Sequence, residues 1–298
     1  MREYQLISDY KHNQTYKKSF NELAKQVFQL DFHEWYTRGC WNDDYICYSY
    51  VDGEKVIANV SVNKMIVTSN GRTYQALQLG TVMTHPDYRQ QGLAAKLTNH
   101  VIAKYEKDYD FLYLFANPSV LDFYPKFGFQ KVQESRFTLM TSHVKAKTTT
   151  APKAALRKLD VDSADDFARM KEFAASRVPV STRWGVQGSE HLSLFYFLIV
   201  FPDSLYYIEE EDVIVLFERE GDLLHVFDIV SKRTVDSERI IEHLLSDETN
   251  VIQFHFMPES DNEHIQAEWI TETDDTLFVR PSLQKKPKHF LFPLTSHA

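Results

Sequence analysis

Residues 79–97 read LGTVMTHPDYRQQGLAAKL, and this stretch decides the fold. Leu, Val, Met and two Thr over residues 79–84 suit a strand. His85-Pro86-Asp87 ends it, because Pro86 removes a backbone donor and holds His85 extended. Arg89-Gln90-Gln91-Gly92-Leu93-Ala94 follows, and then apolar residues at helical spacing: Leu93, Leu97, Val101 and Tyr105. Gly92 and Ala94 keep the helix entry nearly bare, so a ligand can approach the backbone. Free N–H groups in a first helical turn, with the positive end of the helix dipole, favour a phosphate. Arg89 adds a permanent positive charge. Neither the Gly-Lys-Ser/Thr of a nucleoside-triphosphate loop nor the three spaced glycines of a dinucleotide loop is present.

Working backwards, Tyr45–Val51 alternates as a strand and ends in Asp52-Gly53, a hairpin turn. Lys55–Val67 is the next strand, Asn70-Gly71 a second turn, and Thr73–Thr84 the central strand. Before them come a strand at residues 4–9, a helix from Lys17 to Gln29 and a short aromatic helix within Asp31–Trp41. After the phosphate loop, a helix from Gln91 to Lys107 leads to a wholly apolar strand, Asp110–Phe115. Ser119 is expected to cap a short helix stopping near Pro125, before strands at Phe129–Glu134 and Arg136–Thr141 that complete this half.

This order of elements, with Arg-x-x-Gly-x-Ala at Arg89–Ala94 and the segment Phe123-Tyr124-x-x-x-Gly128-Phe129, resembles the GNAT superfamily of acyl-CoA N-acyltransferases over residues 1–142. The resemblance implies an α+β (mixed α/β) fold with a mostly antiparallel central sheet flanked by helices. It implies acetyl-CoA as co-substrate and no metal. Matched residue by residue, Val82, Met83 and Thr84 would offer backbone groups to the pantetheine where the central strand parts from its neighbour. Arg89, Gln90, Gln91, Gly92, Leu93 and Ala94 would hold the pyrophosphate, Asn117 would bond the cofactor arm, and Tyr124 would be the general acid. An unperturbed phenol has a pKa of about 10 and stays protonated at neutral pH. No carboxylate lies on Tyr74–Gly80 to serve as general base, and His85 before Pro86 reads as a turn residue. The acceptor would be a small-molecule or protein amine. A non-catalytic acyl-CoA sensor or scaffold is the rival that the missing carboxylate keeps open.

Lys145–Pro152, polar and proline-terminated, reads as a linker between a catalytic domain at 1–144 and a second domain at 153–298. The second half repeats the plan: a strand at Ala155–Leu159, a helix from Ser163, and strands at Leu205–Ile208, Val213–Glu218 and Leu223–Val230. A helix at Ser237–Leu245 and a strand at Val251–Met257 follow, with Leu277–Arg280 and His289–Pro293 expected to close its sheet. At the loop position it carries Ser231–Asp236 instead of Gly-x-Ala, so it reads as a degenerate GNAT-like domain without a cofactor site. Tandem members with one active half are known in the superfamily, the enhanced-intracellular-survival type among them.

The chain has 298 residues, 43% hydrophobic, enough to bury two cores. Its net charge of −9 is uneven: residues 1–150 carry 18 Lys and Arg against 15 Asp and Glu, whereas residues 151–298 carry 15 against 27. The phosphate loop thus sits in the more basic half, as an anionic ligand prefers. No basic stripe points to nucleic acid, no run is long enough to span a bilayer, and no apolar leader opens the sequence. With only Cys40 and Cys47 there is no disulfide framework or metal-spaced cluster, and a cytoplasmic location is the expectation. Both cysteines read as packing residues.

Overall fold

A computed structural model describes residues 3–144, 155–283 and 285–298; the expected linker at 145–152 lies outside the described residues. The first half runs β1 (Gln5–Ser8), α1 (Gln14–Phe28), α2 (His33–Thr37), β2 (Tyr45–Asp52), β3 (Lys55–Ser69), β4 (Arg72–Thr84), α3 (Leu93–Tyr105), β5 (Phe111–Ala116), β6 (Gln130–Lys131) and β7 (Ser135–Met140). The second half runs β8 (Leu156–Lys158), α4 (Ala164–Ser176), β9 (Trp184–Gln187), α5 (Glu190–Phe195), β10 (Leu205–Ile208), β11 (Val213–Glu220), β12 (Leu223–Val230), α6 (Ser237–Leu244), β13 (Val251–Phe254), β14 (Gln266–Trp269) and β15 (Thr276–Arg280). A wider helical turn, Tyr196–Val200, continues α5. No helix among the described residues is long and apolar enough to cross a membrane.

The hairpin turns form where the sequence places them, with Gly53 at φ +65°, Asn70 at +48° and Gly71 at +74°. The left-handed region that these residues tolerate lets β2, β3 and β4 fold back on one another. Each half builds a mixed sheet. The first is ordered β1-β2-β3-β4-β5-β15-β6, with β9 extending the β3 edge. The second is ordered β8-β10-β11-β12-β13-β7-β14. Both are antiparallel except at one place, the β4·β5 pair in the first and the β12·β13 pair in the second. The two sheets therefore share one plan, and they exchange their sixth strand.

That exchange corrects two expectations. The strand at Arg136–Thr141 forms as Ser135–Met140, but it pairs with β13 and β14 in the second sheet, not the first. The strand at Leu277–Arg280 forms as Thr276–Arg280 and inserts between β5 and β6 of the first sheet. Alternation fixes which face of a strand is apolar but not which neighbour it takes. The strand expected at Phe129–Glu134 shortens to Gln130–Lys131. Residues 289–293 form no strand; instead Phe290 and Phe292 bury fully beside Trp184.

The cores also cross between halves. Phe20, Leu23, Trp35 and Trp41 from the first half share one buried cluster with Phe173, Phe197 and Leu216 from the second. The Trp35 indole N–H donates to the His191 carbonyl at 2.8 Å, and the imidazole of His191 bonds the Asn63 side chain at 2.9 Å. Truncating such a buried ring to Ala costs about 3–5 kcal/mol, so the halves stabilise each other.

Candidate active site

β4 and β5 pair in parallel only over Ala76–Gln78 and Phe111–Tyr113, yet β4 runs on to Thr84 and β5 to Ala116. Beyond Gln78 the two strands part. On its other edge β4 slips register against β3 between Asn59 and Ser61, so one extra residue bulges out of the ladder. Thr81 sits in that bulge at φ +47°, a strained conformation for a β-branched residue. A hydrogen bond network fixes it: Asn59 Nδ2 donates to the Thr81 carbonyl at 2.9 Å, and the Thr81 hydroxyl pairs with the Tyr45 hydroxyl at 2.9 Å.

The parting opens a groove of about 810 Å³. Of the residues expected to bind cofactor, Val82, Met83, Thr84, Arg89, Gln90, Ala94 and Asn117 line it, and so does Tyr124. Three others do not. Leu93 is buried under the sheet with Leu97 and Val101. Gln91 accepts a 3.3 Å bond from the Tyr4 hydroxyl. Gly92 lies beside the groove at the start of α3, with φ +75° and nothing within 4 Å of where a Cβ would stand. No side chain caps that helix end, so its first N–H groups face open space with the exposed Arg89 close in sequence. An uncapped helix start beside a positive charge suits an anion.

Asn117 has a second task. Its Oδ1 accepts from the Ser119 backbone N–H at 3.1 Å and from the Ser119 hydroxyl at 2.5 Å. It therefore caps the single turn Pro118–Val120, the position expected of Ser119. Tyr124 begins another single turn, Tyr124–Phe127, closed by Gly128 at φ +80°. Its ring packs among Phe123, Phe129 and Phe278, and burial pushes its pKa up to about 12. His85 is a turn residue, as its sequence context indicates. Its Nδ1 accepts from the Asp87 N–H, and burial with the Lys55 charge lowers its pKa. Cys40 and Cys47 are buried with pKa values raised by burial to about 12, so both pack as thiols.

The groove also holds two residues that the sequence reading missed. Asp275, exposed just ahead of β15, arrives only because that strand crosses into the first sheet. Ala298 arrives on the tail, whose Ser296 carbonyl accepts from Gln78 Nε2 at 3.2 Å. Gly80 permits this: a Cβ there would lie 2.7 Å from that of Ala298. Asp275 sits in a charged run that reads as solvated loop, and no local pattern reports a tail returning over a distant strand.

In the second half the equivalent places are altered. β11 and β12 slip register at Leu216/Phe217, but there Phe227 is buried and stacks on Phe201 at 4.2 Å. Where α3 begins with bare Gly92, α6 begins with Asp236, whose carboxylate accepts from the N–H of Glu238 at 3.1 Å. A carboxylate already on the helix N-terminus repels a phosphate.

A family model described as an acetyltransferase (GNAT) domain matches residues 11–132. The N-alpha-acetyltransferase 50 of Danio rerio is 36% identical over 75 residues, 22% of this chain and 45% of that protein; the match thus spans under half of the relative's length. Among solved structures, a conserved protein of unknown function from Enterococcus faecalis, titled a probable N-acyltransferase, aligns over 94% of this chain and 72% of its own at TM-score 0.58 and 13% identity. Eis1 from Mycobacterium abscessus aligns over 92% and 73% at TM-score 0.56 and 15% identity. At that identity the likeness shows a shared two-sheet fold, and shows it across both halves. The chain therefore carries a domain of the GNAT acetyltransferase family over residues 11–132, built into a two-sheet GNAT fold.

Proposed function

We propose that the chain is an N-acetyltransferase, moving the acetyl group of acetyl-CoA directly onto an amine, with its one donor site in the first half. The observation that carries this is the groove between the parted strands β4 and β5, which reaches from Arg89 and Ala94 to Tyr124. In this reading Arg89 and the α3 N-terminus bind the pyrophosphate. The free edge of Val82–Thr84 pairs with the amides of the pantetheine, and β4 backbone donors stabilise charge on the thioester oxygen. The amine nitrogen bonds the carbonyl carbon, the C–S bond breaks, and the departing sulfur gains a proton while nitrogen loses one. Tyr124, kept protonated by burial, donates to the developing thiolate. The second half shapes the acceptor side.

Calorimetric titration with CoA and thiol release from acetyl-CoA with mixed amines test this. Binding with release supports it. Binding without release from any amine favours the rival, a non-catalytic acyl-CoA sensor, whose supporting observation is a central strand with no carboxylate from Tyr74 to Gly80. No binding removes both readings.

A further inference from the structure

A second cavity, of about 240 Å³, adjoins the groove; Phe28, Thr81, Phe115, Asp275 and Ala298 line both. It is formed by the end of α1, by α2 and by α5, so both halves of the chain build it. Its walls are mainly apolar, with Phe28, Leu30, Phe32, Leu192 and Phe195 among them, and hold His297 but no Lys or Arg. Two of its rings have their polar ends engaged elsewhere, and the His297 ring stacks on Phe115 at 3.6 Å. The Trp35 indole donates to the His191 carbonyl, and the Tyr45 hydroxyl is held by Ser61 and Thr81. Phe32 and Phe195 stack at 5.3 Å and present a flat apolar surface. Asp275 is the one carboxylate side chain.

We propose that this cavity is the acceptor site, and that the acceptor is a small primary amine with a single aromatic or branched apolar group. The inference rests on the donor reading above and adds the substrate class. Three features select that class. The volume falls below the ~300 Å³ at which pockets for drug-sized ligands begin. Burying a second or third ammonium against these walls would be costly, which excludes polyamines and amino sugars. One carboxylate side chain, Asp275, lines both cavities with aromatic faces behind it and attracts an ammonium. Once inside, the amine is desolvated, which favours its neutral, attacking form. The apolar walls thereby help to populate the neutral amine, and the proton it loses passes to water at the open groove.

Thiol release from acetyl-CoA is measured with the full chain and four probes: 2-phenylethylamine, spermidine, kanamycin and a peptide with a free N-terminal Met. The expected kcat/KM for 2-phenylethylamine exceeds each of the others by at least about tenfold, and F195A lowers it about tenfold with CoA affinity unchanged. Equal or faster turnover of any other probe overturns the inference, as does an F195A protein that binds CoA normally and keeps the full rate. Should F195A fail to fold, D275N is expected to raise the KM for 2-phenylethylamine severalfold, and an unchanged KM counts against the proposal. CoA binding without turnover of any probe removes the acceptor inference and leaves the donor site standing; no CoA binding removes the donor reading itself.

Discussion

The side-chain amide of Asn59 lies 2.9 Å from the carbonyl of Thr81 and donates to it across the register slip between β3 and β4. Asn59 is fully buried, and its Oδ1 accepts from the Ser49 hydroxyl. The bond holds a strained backbone in the shape that opens the groove. An Asn59→Leu chain leaves that carbonyl and the Ser49 hydroxyl short of a partner. Urea melts are expected to show a loss of about 1–3 kcal/mol, with weaker acetyl-CoA affinity because the bulge relaxes toward regular pairing.

A second anchor holds the tail to the second half. The guanidinium of Arg177 grips Asp228 through two bonds of 2.8 and 2.9 Å, and the Thr295 hydroxyl donates to the same carboxylate. Arg177, Asp228 and Thr295 are all buried. Asp228→Asn leaves the Arg177 charge uncompensated and is expected to cost about 3–5 kcal/mol in urea melts. Thr295→Val is milder, at about 1 kcal/mol, but it frees the tail that reaches Gly80. Its thiol release is expected to fall more than its stability.

Tyr124 is expected to act as proton donor across the whole assay range. With its pKa pushed up to about 12 by burial, its ionisation produces no falling limb in rate below about pH 11. Tyr124→Phe is expected to lower kcat about a hundredfold while CoA affinity is retained. Full rate in the variant, or a wild-type limb near pH 10 that the variant lacks, contradicts this assignment.

Two buried groups are expected to make stability depend on pH in opposite directions. Burial raises the carboxyl of Glu134 to about 8, where it accepts from the Phe292 N–H at 2.8 Å. Its neutral form is the one the fold favours. The associated stability is full below the ordinary carboxyl pKa of 4.5 and is lost as pH rises through about 8. His191 behaves oppositely: burial lowers it from 6.5 to about 3, so its contribution is full above pH 6.5 and is lost as pH falls. Melting temperatures from pH 5 to 9 check both. Glu134→Gln is expected to remove the alkaline decline and leave the acid decline in place.

How much of this was legible in the sequence follows from the range of the interactions. The path from Tyr45 through two Xaa-Gly turns to α3 is local, and its elements form close to the expected bounds. Arg89, Gln90, Ala94 and Tyr124, which line the groove, stand in local motifs, because loop and helix-start chemistry is encoded within a few positions. Ser135–Met140 carries the same alternation whichever sheet it joins, so its transfer was invisible. β9 was missed because only four residues, Trp184–Gln187, extend the β3 edge. The second cavity was invisible for a further reason. It assembles residues near 30, near 195 and at 275, and no periodicity links positions so far apart.

The most direct test is calorimetric titration of CoA into the full chain. One site per chain is expected, weakened about tenfold or more by Arg89→Glu because a carboxylate then faces the diphosphate. No change is expected on Arg233→Glu, in the second half's loop. Two sites per chain, no binding, or equal affinity in the Arg89→Glu protein would contradict a single donor groove at the start of α3.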